Sequence, residues 1–251
     1  MKIAVIQIDT KHDDPRENFK LGMKYLEQAA KYQAQCAILP EHWTVETVKQ
    51  GLLEKAQSVQ EFLPKLQEFA KENNLHLFSP MYRVEGKKIY NSLYVINRAG
   101  QLVETYDKIY LFKAMDEDTF NVPGSEIKVV KLDDVTFGLN VCFDLRFSNL
   151  AWEQTLKGAQ VLLYPAQWGA PRVQHWQALL TARAIENQAY VVGCDRYGKS
   201  HYGELAGYSR VIDPWGEVVE GLDSGEGIFV ANLDMAVLNR VRAKIPMERK
   251  K

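Results

Sequence analysis

Short apolar runs alternate with amphipathic segments in the first third of the chain. The run KIAVIQI at 2–8 is typical of a buried strand, and residues 14–32 place apolar side chains at helical spacing. A second run, CAILP at 36–40, predicts another short buried strand. Residues 58–73 predict a second amphipathic helix, in which Pro64 disturbs the first turns. Strands that alternate with helices in this way are typical of sheets covered by helices.

The pattern then changes to hairpins before the alternation returns. Between residues 82 and 108, strand-like segments break at two turn-forming dipeptides, EG and AG, which predicts a meander. A second series predicts strands at 135–143, 160–166 and 190–194 and helices at 150–159 and 172–189. Residues 207–234 predict hairpin strands around the turn DPWG. We therefore expect an α/β fold with mixed sheets and outer helices, in one domain over residues 1–251.

The helix predicted at 172–189 is apolar on two sides. One stripe consists of Val173, Trp176 and Leu180, and the other of Ala178, Ala182, Ile185 and Ala189. A helix that is apolar on more than one side needs two buried contacts. We predict that one contact is a second subunit in a homodimer. Packing between two layers of the same domain is the alternative.

Composition narrows the classes of function. The 251 residues contain 31 Lys and Arg against 32 Asp and Glu, a net charge of −1, so we expect no nucleic-acid partner. The first apolar stretch is too short for a signal peptide or a membrane span, so we expect no membrane partner. Cys36, Cys142 and Cys194 lie in apolar surroundings without CxxC spacing. Such a sparse, odd set predicts reduced thiols in the cytoplasm.

The sequence lacks the common cofactor and metal motifs. There is no Walker sequence, no GxGxxG that opens a helix after a strand, and no HExxH or paired histidine spacing. We therefore expect no cofactor and no metal. Three charged residues, Glu41, Lys108 and Asp144, instead follow apolar segments. Loops at the carboxyl ends of buried strands are where α/β folds collect their chemistry.

The stretch NVCFDLRF places Cys142 at the end of an apolar run. Its thiol is either part of the core or a nucleophile. His42 and His175 are candidate bases for it, but each is placed to hydrogen-bond locally, and we favour that interpretation. We interpret Asp144 and Arg146 as an ion pair that braces the turn after the cysteine.

Three stretches, LPEHW at 39–43, YDKIYLF at 106–112 and NVCFDLRF at 140–147, resemble the signature sequences of the nitrilase superfamily, the carbon–nitrogen hydrolases. Their order and spacing match along essentially the whole chain. Two longer segments, AQWGAPRVQHWQALLTARAIENQAYVVGC and AGYSRVIDPWG, resemble the branch that contains ω-amidases and 2-oxoglutaramate amidases. The resemblance implies a four-layer α-β-β-α sandwich with two mixed β-sheets, assembled as a homodimer or larger oligomer. Tyr110 and Tyr208 replace histidines of the family pattern, which leaves the substrate open.

Through this resemblance the family's catalytic triad falls on Glu41, Lys108 and Cys142, and its second glutamate on Glu117. Cys142 would attack the amide and form a thioester, since direct displacement of ammonia is difficult. The Lys108 ammonium and the backbone N–H of Phe143 would then stabilise the oxyanion. The alternative for Glu117 is a solvated position in the acidic loop DED.

Ordinary pKa values show why a thiol would need both partners. Transfer of a proton from a free thiol to a free glutamate costs about 5–6 kcal/mol. We expect burial to raise the pKa of Glu41 and the Lys108 ammonium to lower that of Cys142, which would narrow this gap. Arg172, preceded by Trp168, is a candidate for binding a substrate carboxylate through its guanidinium. A solvent-facing arginine is the alternative.

The leading hypothesis is a cofactor-free amidase that releases ammonia from a small ω-amide such as 2-oxoglutaramate. The same triad could act on an N-carbamoyl compound, a nitrile or deaminated glutathione. A non-catalytic binding protein is the alternative from another class, but a scaffold has no physical need for a charged pair beside a thiol. A papain-type cysteine protease is disfavoured because its local signature around the cysteine does not occur.

Overall fold

The computed structural model describes residues 1–11, 14–46 and 51–248. Its α-helices are α1 (Pro15–Lys31), α2 (Leu52–Ser58), α3 (Phe62–Glu72), α4 (Glu117–Phe120), α5 (Ser148–Leu156), α6 (Val173–Asn187) and α7 (Met235–Lys244). Its strands are β1 (Lys2–Gln7), β2 (Cys36–Ile38), β3 (His76–Glu85), β4 (Lys88–Ile96), β5 (Leu102–Asp107), β6 (Val129–Leu132), β7 (Val135–Leu139), β8 (Val161–Ala166), β9 (Tyr190–Asp195), β10 (Tyr197–Ser200), β11 (Gly203–Ala206), β12 (Ser209–Ile212), β13 (Val218–Leu222) and β14 (Gly227–Asn232). No helix in these three ranges is long and apolar enough to cross a membrane.

Twelve strands form two six-stranded sheets, and β10 and β11 form a separate hairpin. The first sheet has the order β14-β1-β2-β3-β4-β5, and the second has the order β6-β7-β8-β9-β12-β13. In both sheets three strands run parallel in the middle, with one antiparallel strand on one side and two on the other. The two sheets therefore repeat one order of strand directions, although no repeat is visible in the amino-acid sequence.

The two sheets pack face to face and helices cover their outer faces. Alternate residues of β1 show the arrangement: Ile3 and Val5 belong to the core between the sheets, whereas Ala4 and Ile6 face the helices α1, α2 and α3. Phe78 of the first sheet meets Phe137 of the second with ring centroids 4.9 Å apart. The same buried cluster continues across the second sheet to side chains of α5 and α6. The fold is thus the expected four-layer α-β-β-α sandwich with two mixed sheets.

The local predictions are largely confirmed. Helix α1 begins where predicted, because the Asp14 side chain accepts a hydrogen bond from the Glu17 N–H at 3.0 Å and Pro15 occupies the first helical position. The meander predicted from residue 82 onward is present as β3, β4 and β5. The amphipathic helix predicted at 58–73 is present as α3, with Phe62, Leu66 and Phe69 buried, but it begins four residues later because a 3₁₀ turn at Val59–Glu61 follows α2. Pro64 lies in the first turn of α3, where a missing N–H removes no helical hydrogen bond.

Helix α6 buries one stripe and leaves much of the other accessible. Trp176, Leu180 and Ala184 are fully buried, whereas the Ile185 side chain is 52% exposed. Layer packing within this chain therefore accounts for the first apolar stripe. It also buries Ala189 of the second stripe but leaves Ala178 and Ile185 exposed.

Candidate active site

The centre of the site is the Lys108 ammonium, which lies between two buried carboxylates. Its Nζ donates to Glu41 Oε1 at 2.9 Å and to Glu117 Oε1 and Oε2 at 3.0 and 2.8 Å. All three side chains are at most 5% exposed. Glu117 also accepts a hydrogen bond from the Phe112 N–H at 2.7 Å. The solvated position considered for Glu117 was therefore wrong.

These groups come from the ends of strands that meet at one edge of the sandwich. Glu41 follows β2, Lys108 follows β5, and Cys142 follows β7. The Lys108 backbone is held by its N–H, which donates to the Asn91 carbonyl on β4 at 2.9 Å. The three predicted triad residues and Glu117 line one cavity. The structure thus brings together side chains that are far apart in the sequence.

The turn after β7 holds Cys142 in the left-handed region, with a φ of 47°. A non-glycine residue is uncommon there and costs free energy, so the surrounding contacts must hold the turn in place. Asp144 supplies them: its carboxylate accepts hydrogen bonds from the Val141 N–H at 3.0 Å, the Tyr110 N–H at 2.9 Å and the Tyr106 hydroxyl at 2.7 Å. The turn is therefore fixed to the strand before it and to the segment after Lys108.

The predicted ion pair between Asp144 and Arg146 was wrong. The Asp144 carboxylate is fully buried and is occupied by its three donors, so the fold leaves no position for a guanidinium beside it. Arg146 turns outward, where its guanidinium carbon lies 4.9 Å from the centre of the Trp168 ring. Burial raises the pKa of Asp144 to about 6, although the three hydrogen bonds act against that rise.

Three further residues complete the site, and sequence reasoning did not assign them to it. Asn91 donates to Glu41 Oε1 at 2.7 Å and to Glu117 Oε1 at 3.0 Å. The Gln167 N–H donates to Glu41 Oε2 at 2.9 Å. His42, which was interpreted as a local hydrogen-bonding residue, lines the cavity with its Nε2 3.8 Å from Glu41 Oε1. For Asn91 a signal existed in the sequence: an amide within the apolar strand IYNSLYV is unusual unless it has a buried partner.

The charges of the site keep the proton on the sulfur. Burial acts to raise the pKa of Glu41, but Lys108 and His42 outweigh it and hold that pKa below its ordinary value. Burial and then the Glu41 charge raise the pKa of the Cys142 thiol well above its ordinary value. Burial acts to lower the pKa of Lys108, but the charges of Glu117 and Glu41 act more strongly and raise it well above its ordinary value. We expected the pKa values of Glu41 and Cys142 to approach each other, and that expectation was wrong. The Lys108 ammonium contacts the two carboxylates, and two carboxylates against one ammonium leave one negative charge uncompensated.

The cavity between these groups is small. It measures about 20 Å³ and is lined by Glu41, His42, Lys108, Phe112, Met115, Glu117, Cys142 and Gln167. That volume holds about one water molecule. The Cys142 thiol hydrogen-bonds toward the Gln167 carbonyl oxygen at 3.8 Å, on one wall of the cavity.

The residues predicted to bind substrate lie around Phe112, which lines this cavity, and are not part of the lining themselves. The Phe143 ring packs against the Phe112 ring with centroids 4.8 Å apart, and the Arg172 guanidinium carbon lies 5.3 Å from the centre of the Phe112 ring. The Trp168 indole N–H donates to the Arg172 carbonyl oxygen at 2.8 Å. Burial, and then the charge of Arg172, lowers the pKa of Arg146. Within the described ranges neither guanidinium forms an ion pair with a carboxylate.

Three side chains that line the cavity could also be metal ligands. Glu41, His42 and Glu117 each offer a ligand atom, and these atoms lie within 4.8 Å of one another. The Lys108 ammonium, however, already contacts both carboxylates at 2.8–3.0 Å. A metal ion would have to displace that ammonium or lie beside it with unfavourable charge repulsion. The arrangement fits an ammonium better than a second cation.

Comparison with known proteins agrees with the fold. The sequence profile of the family "Carbon-nitrogen hydrolase" matches residues 2–243. A 2-oxoglutaramate amidase of Bacillus subtilis is 36% identical over 250 residues, which are 98% of this chain and 95% of the relative. A deaminated glutathione amidase of Mus musculus is 31% identical over 263 residues, 98% of this chain and 81% of the relative. The crystal structure of Nit3 of Saccharomyces cerevisiae, a member of branch 10 of the nitrilase superfamily, superimposes with a TM-score of 0.90 at 26% identity, over 98% of this chain and 94% of that chain.

The charge arrangement makes a prediction about the Glu41→Gln variant. Removal of the Glu41 charge leaves the Lys108 ammonium near the sulfur, so the thiolate of Cys142 should form at lower pH, by about one pH unit or more. The measurement is the ultraviolet absorbance of the thiolate against pH, taken as the difference from the same variant with Cys142→Ala. Glu68→Gln, on the exposed face of α3, is the matched control. A thiolate titration in Glu41→Gln that stays in place or moves to higher pH would contradict the assigned charges.

Proposed function

The chain belongs to the carbon–nitrogen hydrolase family, and we propose that it hydrolyses the terminal amide of a small linear ω-amide such as 2-oxoglutaramate and releases ammonia. The observation that carries this proposal is the convergence of Cys142, Glu41 and Lys108 on one enclosed cavity. The similarity to a 2-oxoglutaramate amidase over nearly the whole chain supports the choice of substrate. One catalytic domain in each chain would contain the entire site.

In the first half of the reaction, Cys142 is the nucleophile and Glu41 the base. The sulfur attacks the amide carbon while its proton passes to Glu41, and the carbonyl oxygen becomes an oxyanion. The Lys108 ammonium and the Phe143 N–H stabilise that oxyanion. Phe143 lies in the 3₁₀ helix Cys142–Arg146, and the first N–H groups of a helix have no acceptor within it.

The pKa values indicate when the proton moves. Between groups of ordinary pKa the transfer costs about 6 kcal/mol, and this site makes it more costly because Glu41 lies below and Cys142 above its ordinary value. A turnover of about 10 s⁻¹ allows a barrier of about 16 kcal/mol. The transfer fits within that barrier if the carbonyl carbon accepts the sulfur as the proton leaves. A free thiolate is then never required.

In the second half the same groups act in reverse. Glu41 gives its proton to the nitrogen, the C–N bond breaks, and ammonia leaves a thioester on Cys142. A water molecule then loses a proton to Glu41 and attacks the thioester, and the proton returns to the sulfur as the S–C bond breaks. Glu117 and Asn91 hold Lys108 and Glu41 in place through both halves.

The residues around Phe112, which form the proposed entrance, favour a substrate with a carboxylate at the end away from the amide. Arg172 and Arg146 place two guanidinium groups near Phe112 and Trp168, and neither has an acidic partner among the described residues. Two neighbouring cations repel each other, and an anion between them relieves that repulsion. A guanidinium also matches the geometry of a carboxylate. Arg172, supported by Trp168 and the Phe143–Phe112 pair, is therefore the proposed carboxylate-binding residue.

The cavity must widen before such a substrate can reach the sulfur. A volume of about 20 Å³ holds a water molecule but not 2-oxoglutaramate. Phe112 and Met115 form the part of the lining that is only partly buried, on the segment between Lys108 and Glu117. Movement of these two side chains admits the substrate.

One other substrate has a specific observation in its favour. The similarity to a deaminated glutathione amidase also covers 98% of this chain. Deaminated glutathione is a longer amide that carries carboxylates, so the same entrance residues would bind it. N-carbamoyl compounds and nitriles remain part of the substrate panel.

The proposal extends to the assembly of the protein. The exposed stripe of α6 around Ile185 supports a homodimer. A monomer in sedimentation at micromolar concentration would contradict the homodimer.

The proposal also extends to the cellular compartment. Three free cysteines support a reducing compartment such as the cytoplasm. Recovery of the protein with oxidised cysteines from its native source would contradict that compartment.

The main test is ammonia release from a panel of small amides. We expect 2-oxoglutaramate to be the best substrate and Cys142→Ala to lower its turnover by at least about 10³-fold, because the nucleophile is lost. Cys36→Ala, which removes a buried thiol outside the site, is the matched control and should retain activity. A folded wild-type protein that is inert on every amide of the panel would contradict the proposal.

Arg172→Met tests the binding of the carboxylate. We expect KM for 2-oxoglutaramate to rise about tenfold to a hundredfold, because a charged hydrogen bond is lost, with a smaller change in kcat. A neutral amide of similar length is the control substrate, and its KM should change little. Equal losses for the charged and the neutral amide would exclude this role for Arg172.

A further inference from the structure

The backbone of Gln167 touches both reacting side chains. Its N–H donates to Glu41 Oε2 at 2.9 Å, and its carbonyl oxygen accepts from the Cys142 thiol at 3.8 Å. Gln167 follows directly after β8, so its position is set by a central strand of the second sheet. The distance between the base and the nucleophile therefore depends on where this one residue lies.

The side chain of Gln167 is held from two sides. Its Oε1 accepts from Arg196 Nη1 at 2.5 Å, and its Nε2 donates to Glu46 Oε1 at 3.3 Å. Glu46 Oε1 also accepts from the His201 N–H at 3.0 Å, which ties it to the loop after β10. The amide thus presents its acceptor to a cation and its donor to an anion. It makes both contacts without adding a charge to the site.

Arg196 is an unusual residue to find beneath an active site. It is fully buried, and no carboxylate of the described ranges lies within salt-bridge distance of it. Its Nη2 reaches only the carbonyl oxygens of Thr10 and Lys199, at 3.4 and 3.5 Å, and its Nε has no hydrogen-bond partner there. Burial of a guanidinium in this way costs free energy. Its shortest contact is with Gln167, which points to the function that offsets the cost.

We propose that Gln167, clamped between Arg196 and Glu46, is a positioning residue that sets the distance and angle between the Glu41 carboxylate and the Cys142 sulfur. The inference rests on the proposed function, in which Glu41 receives the proton of the thiol. Glu41 Oε1 is occupied by Lys108 and Asn91, so the Gln167 N–H on Oε2 fixes the remaining rotation of the carboxylate. A misplacement of about 1 Å in such an arrangement can lower the rate by about a hundredfold.

Gln167→Met tests this role, because methionine has a similar shape but neither hydrogen bond. We expect kcat to fall about tenfold to a hundredfold with KM within about threefold of the wild type. We also expect the thiolate of Cys142 to form at lower pH, since the Glu41 charge is no longer held against the sulfur. Loss of stability alone would lower the folded fraction without moving that titration.

Gln160→Met is the matched control. Gln160 precedes β8 and Gln167 follows it, so the same substitution is made at the two ends of one strand. Gln160 accepts from the Thr136 N–H at 3.1 Å, away from the site. We expect Gln160→Met to leave both kcat and the thiolate titration unchanged. Equal effects of the two substitutions, or a Gln167→Met variant within twofold of the wild type in kcat with an unmoved titration, would overturn the inference.

Two further outcomes remain decisive. If Gln167→Met does not fold, Gln167→Asn keeps the amide but shortens it, and a fall in kcat with a lowered thiolate titration supports the inference while wild-type values overturn it. If the wild type releases no ammonia from any amide, the proposed function fails. The thiolate titration still decides the positioning role, because it needs no substrate.

Discussion

One ammonium group shared between two buried carboxylates determines the chemistry of this site. Without Lys108, Glu41 and Glu117 would repel each other in a place that water does not reach, and loss of one partner of a buried ion pair typically costs about 3–5 kcal/mol. With Lys108 present, one negative charge remains uncompensated beside Cys142. The ammonium keeps Glu41 ionised, and the surplus negative charge keeps the thiol protonated until a substrate arrives.

The repeated order of strand directions in the two sheets explains how distant residues meet. Strands β2 and β8 occupy equivalent positions in the two sheets, and Glu41 follows the first while Gln167 follows the second. The hydrogen bond from the Gln167 N–H to Glu41 therefore joins the two sheets at the site itself. Because Cys142 also follows a strand of the second sheet, the distance from the Glu41 carboxylate to the Cys142 sulfur depends on how the sheets pack.

Local pattern and family resemblance predicted much of this protein from its sequence. Strands buried on both faces, the hairpin meander and the capped helix α1 follow from spacing and turn residues, and the triad positions follow from three short motifs. Contacts that depend on packing were not predictable. Asp144 bonds to Tyr106, 38 residues away, rather than to Arg146 two positions along the chain. The direction of the pKa shifts was also missed, because spacing does not show that the ammonium contacts the carboxylates rather than the sulfur.

The proposed reaction begins from a neutral thiol beside an ionised glutamate in the resting enzyme. Infrared spectroscopy at neutral pH, taken as the difference between the wild type and Cys142→Ala, measures this directly through the S–H stretching band. We expect an S–H band that belongs to Cys142 and disappears when a substrate acylates the sulfur. Absence of that band in the resting protein, with the thiol already ionised, would contradict that expectation.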